Sequence, residues 1–385
     1  MEFNTVAIHK MTRDKAFHSV NAHISDLPSY NAGQSAESVK RKFKLTHVVK
    51  LNSNENPYGP SPRVREVAEG AFSDVNQYPN APYTELLMLL AQHLNVDAHQ
   101  IVLGNGSEEL IVIAARALLN ESDEMVTVSP DFGLHTIHAL AMGAKVTQIP
   151  FKSNFSFDVD AIVEALQRQP KLLCISSPSN PVGTFLNASD LERIIVACQD
   201  HTLLLFDEAY SEYASLEPDY PDCLSLLNDS SIAYLMLRTF SKAYGLAGLR
   251  IGYGIAGDGS LIEVMNRIKT PFNVNHLAQN AAIIAYQDQA YMREGCQLVR
   301  NERIRLFELL RSMGFEVAPS ATNFLFFNAG TDAYALSELL MSKGVIVKPW
   351  MGEKFSRYIR VSIGTPEENN QFLATLESSL KQVHS

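Results

Sequence analysis

From Ile101 onward the chain alternates short, nearly unbroken apolar runs with stretches of helical periodicity, and this alternation limits the folds open to it. The runs are Ile101–Leu103, Met125–Val128, Lys145–Ile149, Leu172–Ser176, Leu203–Phe206, Ile232–Leu237 and Ile251–Ile255. Between them Glu108–Leu119, Gly133–Met142, Val159–Gln167, Ser189–Gln199 and Leu261–Lys269 place apolar residues at helical spacing, with Asp158 and Ser189 as expected N-caps. Strands that lack polar alternation are covered on both faces. The pattern therefore predicts an α/β fold with a mostly parallel, seven-stranded sheet sandwiched by helices. Ligands of such sheets lie outside the carboxyl ends of the strands, so the residues that follow each run are the candidates for chemistry.

Past residue 290 the character changes. A helical pattern over Met292–Met313 leads into strand patterns at Asn323–Phe327, Val345–Val347 and Tyr358–Ile363, then a helix over Glu367–Gln382. This predicts a smaller C-terminal α/β domain. The first fifty residues are polar and irregular, with Pro28, Gly33 and the basic cluster Lys40, Arg41, Lys42 and Lys44, and read as an arm with one short helix. The expected division is an arm over 1–48 that packs with the small domain, a large domain over 49–288 and a small domain over 289–385. The net charge of −10, with scattered basic residues, argues against nucleic acid or an anionic membrane as partner. No apolar stretch approaches the roughly 18 residues needed to span a bilayer, and Met1–Val20 has no apolar signal core. Cys174, Cys198, Cys223 and Cys296 are widely spaced, without a CxxC, which suits free thiols in a reducing compartment. The cytoplasm is the expected location.

The residues after the strands carry distinct chemistries. Lys242 sits in Arg238-Thr239-Phe240-Ser241-Lys242-Ala243-Tyr244-Gly245, and Arg250 follows eight residues on. Hydroxyls, small residues and a second cation disfavour its ammonium form, and a partly neutral amine is a nucleophile for a carbonyl carbon. Arg250, Thr239 and Ser241 supply what a neighbouring phosphate needs, so imine-forming lysine plus phosphate anchor describes a pyridoxal 5'-phosphate (PLP) site. Gly104-Asn105-Gly106-Ser107-Glu108-Glu109 ends a strand and opens a helix, whose N-terminus attracts an anion. Glu109 stands where a dinucleotide fingerprint needs its third glycine.

Asp207 and Glu208 close an apolar strand; a buried carboxylate there needs a partner, and a protonated pyridine nitrogen is one. A helix cap by Asp207 and a solvated Glu208 are the alternatives. Adjacent residues point to opposite faces, which disfavours a paired-carboxylate hydrolase. Tyr210 could reach the same face as Asp207 and bond a ring oxygen. Asn180, before Pro181, is biased away from helical backbone and is either a turn residue or a positioned amide donor. Phe132, at another strand end, stacks on a flat ring or fills core. His135 and His138 have no third ligand near them in sequence, and no metal site is read there.

Taken together and in order, these segments resemble the fold-type I PLP-dependent aminotransferases, most closely the histidinol-phosphate aminotransferase family. The resemblance runs from about Ile24 to the C-terminus. It rests on Leu51 to Pro62, Tyr78-Pro79, Gly104 to Glu109, Asn180-Pro181, Asp207 to Tyr210, Ser241-Lys242 to Arg250, Pro271 to Asn275 and Tyr358 to Ser362. It implies that Lys242 holds PLP covalently and that Asp207 pairs with the ring nitrogen. Asn180 and Tyr210 would bond the ring oxygen, with Phe132 stacked on the ring. Ser107, Glu108, Thr239, Ser241 and Arg250 would hold the phosphate, joined by Tyr78 from a neighbouring subunit, so that the active site needs a homodimer. Arg360, with Lys348 and Asn54, would bind substrate, and Lys348 stands where the family often has a second arginine. The implied reaction moves an amino group from a small amine or amino-acid donor to 2-oxoglutarate. The alternatives are an aminotransferase for aromatic or other amino acids, or an enzyme of specialised metabolism that uses PLP for elimination or cyclisation.

Overall fold

The computed structural model describes residues 21–25, 27–29, 31, 33–71, 75–79, 83–198, 200–350 and 352–383. The seven expected strands form one sheet: β1 (Ile101–Gly104), β2 (Glu124–Ser129), β3 (Lys145–Pro150), β4 (Leu172–Ser176), β5 (Leu203–Asp207), β6 (Tyr234–Thr239) and β7 (Gly252–Ala256). Their spatial order is β1-β7-β6-β5-β4-β2-β3. Only β7 runs antiparallel to its neighbours. The central strands β4 and β5 are buried at every position, and β6 at all but Arg238. Each fully buried leucine or phenylalanine there contributes about 1.5–3 kcal/mol of transfer free energy. Several boundaries differ by a residue or two from the sequence reading, and two of the differences have a clear cause. The β6 ladder begins at Tyr234, opposite Leu204, and runs on to Thr239 because Arg238 and Thr239 still pair with Tyr253 and Gly252 on β7. The helix Ala188–Ala197 is capped by Asn187, which accepts from the Asp190 N–H, so Ser189 lies inside the first turn. Asp158 does cap the helix Val159–Leu166, accepting from Ala161 N–H.

The C-terminal part forms a four-stranded antiparallel sheet in the order Lys348–Pro349, Tyr358–Ser362, Phe324–Asn328, Glu316–Val317. The long helix Gln289–Ser312 and the helix Pro366–Val383 accompany it. Val345–Ile346 does not join that sheet; it pairs in parallel with Val49–Lys50. Before that pairing the described residues form two helices where one was expected, Ala22–Ser25 and Ala36–Phe43. Val39 of the second is buried against Met341 and Ile346. Residues 1–20, read above as lacking a signal core, lie outside the described residues.

Candidate active site

The carboxyl ends of β2, β4, β5 and β6, the start of the helix Gly106–Leu118 and the strand Tyr358–Ser362 surround a cavity of about 320 Å³. Lining it are Asn54, Ser107, Glu108, Phe132, Asn180, Asp207, Tyr210, Thr239, Ser241, Lys242, Arg250, Lys348 and Arg360, thirteen of the fourteen residues expected at the site. Tyr78 lies elsewhere, 80% exposed and stacked on Phe272 with ring centroids 4.6 Å apart.

Three glycines shape the anion end of this cavity. Gly106 has φ +74°, a left-handed backbone that favours glycine, and a Cβ there would stand 2.7 Å from Arg250 Nη2. A Cβ at Gly252 would stand 2.5 Å from Ser107 N, and one at Gly104 would meet Gly106 O and Leu110. The first turn of the helix is thereby free to receive Arg250 from beyond β6. Arg250 Nη1 donates to Ser241 Oγ at 3.4 Å, and Nη2 lies 3.7 Å from Glu108 Oε2. Thr239 Oγ1 accepts from Ser241 N at 3.1 Å and so fixes the turn leading to Lys242.

Lys242 Nζ donates to Ser53 O at 3.1 Å and lies 5.9 Å from the Tyr210 ring centre. Burial lowers its pKa to about 7, and the Arg360 and Arg250 cations act in the same direction. An amine in this state is substantially neutral near pH 7, as the sequence suggested.

The two carboxylates at the end of β5 have separate partners, consistent with the strand's alternation. Asp207 Oδ2 lies 3.2 Å from His135 Nε2, and its Oδ1 accepts from Ala209 N, which makes it also a turn residue. Glu208 is not solvated: it is 1% exposed, bonded by Arg238 at 2.8 Å and by Tyr220 Oη at 2.7 Å. Sequence reasoning missed the chain of groups behind Asp207. His135 Nδ1 bonds Asp131 Oδ2 at 2.9 Å, and Asp131 accepts from Thr127 Oγ1 and Ser176 Oγ. Burial opposes charge on His135, but Cys174 and the carboxylates of Asp131 and Asp207 outweigh it and hold its pKa well above the usual value. Among the described residues no His, Cys, Asp and Glu group is arranged to hold a metal.

Asn180 and Arg360 meet across the cavity. Arg360 Nη1 donates to Asn180 Oδ1 at 2.6 Å and Nη2 to Asn52 O at 2.8 Å. Lys348 faces Arg360 in the strand register, and its Nζ donates to Asn31 O at 2.5 Å. Burial, and then Arg360, lower the Lys348 pKa to about 8. Asn54 is 1% exposed and has φ +56°. Its Nδ2 donates to Tyr210 Oη at 2.9 Å, its Oδ1 accepts from Ser362 Oγ at 3.0 Å, and its O accepts from Asn323 Nδ2 at 2.8 Å. It therefore ties the two sheets together beneath Tyr210.

The sequence profile of the family described as aminotransferase class I and II matches residues 46–376. The chain is 43% identical over 362 residues to histidinol-phosphate aminotransferase 3 of Rhizobium meliloti, covering 93% of this chain and 96% of that one. It is 37% identical over 361 residues to the histidinol-phosphate aminotransferase of Bacillus subtilis, covering 94% and 99%. Among solved structures, histidinol-phosphate aminotransferase from Sinorhizobium meliloti, in complex with pyridoxal-5'-phosphate, superposes with a TM-score of 0.88 at 28% identity over 96% of this chain and 99% of that one. Aspartate aminotransferase from Thermus thermophilus shares the fold, with a TM-score of 0.78 at 22% identity over 93% and 98%. The chain belongs to the class I and II aminotransferases and is a PLP-dependent transaminase.

Proposed function

We propose that this aminotransferase takes an amino donor bearing a phosphate monoester, of which histidinol phosphate is the leading candidate, and passes its amino group to 2-oxoglutarate. The observation that carries the reading is the pairing of two cations, Arg360 and Lys348, on neighbouring strands that line the same cavity as the Lys242 amine. The relatives named for histidinol phosphate support it. A second reading, an aromatic or other amino acid as donor, is favoured by Trp350 and Phe132, which line the same cavity.

The residues present fit PLP. A cavity wall built from glycines that a Cβ would obstruct, a helix N-terminus and Arg250 suits a phosphate. Ser107, Glu108, Thr239, Ser241 and Arg250 would hold that phosphate, and Phe132 would lie against the ring. Asp207 would face the ring nitrogen and Tyr210 the ring oxygen. With its oxygen taken by Arg360, Asn180 has its Nδ2 donors left for the ring oxygen as well. When bound, the cofactor supplies the carbonyl that captures amines and a ring that stabilises negative charge on the substrate α-carbon.

The chain's own work is then definable. The Lys242 amine, near neutrality at pH 7, is the nucleophile that anchors the cofactor and the base that moves a proton from the substrate α-carbon. Asp207, backed by cationic His135, presents a fixed carboxylate that keeps a ring-nitrogen proton in place. Arg360, clamped by Asn180 and Asn52, orients the anionic end of the substrate. Asn54 acts on the site by positioning Tyr210, since its side-chain polar atoms are already engaged.

In the same reading the enzyme is a homodimer, and the exposed Tyr78 reaches the phosphate of the neighbouring subunit's cofactor. Residues 49–288 form the cofactor-binding unit, 289–385 supply Lys348 and Arg360, and the arm before them, described from residue 21, packs with the small domain as a strap. The strap is supported by the Lys348–Asn31 bond and by Val39 against Met341. The four buried free thiols fit a cytoplasmic enzyme, and no described helix is long and apolar enough to cross a membrane.

The test is a donor panel that includes histidinol phosphate, histidine and the aromatic amino acids, with 2-oxoglutarate as acceptor. Glutamate formed in step with the oxo product, and fastest with histidinol phosphate, supports the proposal. Preference for an unphosphorylated aromatic donor would replace it with the second reading, and ammonia release without an acceptor would refute both.

A further inference from the structure

Glu109 closes the Gly104–Glu109 motif without a part in the anion cradle, yet it is closely bound. Its Oε2 accepts two bonds, from Asn105 N at 2.6 Å and from Asn273 Nδ2 at 2.6 Å. The first fixes the turn that opens the helix Gly106–Leu118 and sets Gly106 and Ser107 in place. The second reaches 164 residues along the chain, to the Pro271–Val274 segment. Asn273 is held further by donating to Leu103 O at 3.1 Å and accepting from Tyr83 Oη at 3.1 Å. Its neighbour Phe272 has φ +56°, a left-handed backbone that a bulky residue adopts only under constraint. In that conformation Phe272 is 43% exposed and forms the platform for Tyr78.

We propose that Glu109 is a positioning residue that couples cofactor loading to subunit association, by tying the phosphate cradle of its own subunit to the Phe272–Tyr78 platform that serves the neighbour's. The inference rests on the dimeric PLP reading given above. One carboxylate oxygen serves both sides, so the cradle and the platform share a single anchor. A phosphate that orders Gly106 and Ser107 thereby also orders Asn105, Glu109 and Asn273. By thermodynamic reciprocity, a dimer contact that fixes Phe272 must tighten phosphate binding by the same factor.

The test compares the unmodified holoenzyme with Glu109→Ala, Glu109→Gln and Asn273→Ala. Cofactor affinity is read from the absorbance retained on dialysis, and the dimer dissociation constant from sedimentation equilibrium with and without saturating PLP. The unmodified protein should show a tighter dimer when loaded. Glu109→Ala loses two charge-assisted bonds and should weaken cofactor affinity about tenfold or more, while the loaded and unloaded dimer constants converge. Glu109→Gln keeps an acceptor oxygen and should recover part of both effects. Asn273→Ala leaves the Asn105 turn intact and should remove the convergence-sensitive part alone. Equal weakening of both dimer constants, with their ratio preserved, would reduce Glu109 to a turn cap and overturn the coupling. An unmodified protein that never captures PLP would instead overturn the underlying functional reading, and one that binds PLP as a monomer would overturn its dimeric part.

Discussion

Lys348 makes the substrate assignment sensitive to pH in a way an arginine would not. Its side chain faces Arg360, and burial together with that cation brings its pKa from 10.5 down to about 8. A lysine with this depressed pKa holds its ammonium form well below pH 8, is half titrated there and loses the charge progressively above it. At pH 9 only about a tenth of the free enzyme would carry this charge, so affinity for an anion that needs it should fall about tenfold per pH unit there. A bound dianion stabilises the ammonium and shifts that loss upward in the complex. Inorganic phosphate is a suitable probe between pH 7.5 and 9.5, a range in which it is mostly dianionic and carries no amine. Its dissociation constant, followed by titration calorimetry of the holoenzyme, should rise about tenfold over the last unit for the unmodified protein. Lys348→Arg should flatten that limb to within about twofold, because a guanidinium keeps its proton throughout. Lys348→Met should bind about tenfold or more weakly at pH 7.5, as expected for a lost charge-assisted bond, and show the same flat profile. A Lys348→Met variant whose affinity declines in parallel with the unmodified protein would refute the reasoning, since the titrating group would then lie elsewhere.

Lys242→Ala should abolish both turnover and the visible absorbance of lysine-bound cofactor while leaving noncovalent PLP binding; a spectrum that persists would exclude Lys242 as the anchor. Arg238→Met strands the Glu208 carboxylate, 1% exposed, with Tyr220 as its remaining side-chain donor, and should cost about 3–5 kcal/mol in urea unfolding. A loss below about 1 kcal/mol would show that Glu208 simply takes up a proton or water. Gly106→Ala forces a Cβ to 2.7 Å from Arg250 Nη2 on a left-handed backbone, and should weaken PLP retention about tenfold with little change in secondary structure by circular dichroism.

The centre of the sheet was legible because its strands are buried on both faces. Leu172–Ser176 and Leu203–Asp207 are written as continuous apolar runs, and the residues that follow such runs in an α/β sheet face a common end. Local spacing could place Lys242, Asp207 and Asn180 there, but it could not reveal partners distant along the chain. The Asp131–His135 pair reads as ordinary helix entry until β5 brings Asp207 beside it, 72 residues from His135. A solvated Glu208 stayed open as an alternative because Arg238 arrives on β6 thirty residues later. The left-handed Asn54 and its bonds to Ser362 and Asn323 depend on the C-terminal sheet docking over residues 52–54. Asn187 and Ser189 are both good caps by residue type, and only the backbone path decides between them.

The glycine-walled cradle also sets an order of events in biogenesis. Ser107 and Gly252 face each other only after β1 has paired with β7, which joins residues some 150 positions apart, Ile101 opposite Ile255. Arg360, which lines the same cavity, comes from the strand Tyr358–Ser362, more than a hundred residues after β7 begins. Such long-range closure is slow, and it cannot be assembled on a nascent chain that still lacks β7. The complete cradle is therefore available to the coenzyme only once β1 and β7 have paired, and tight retention should report that closure rather than collapse.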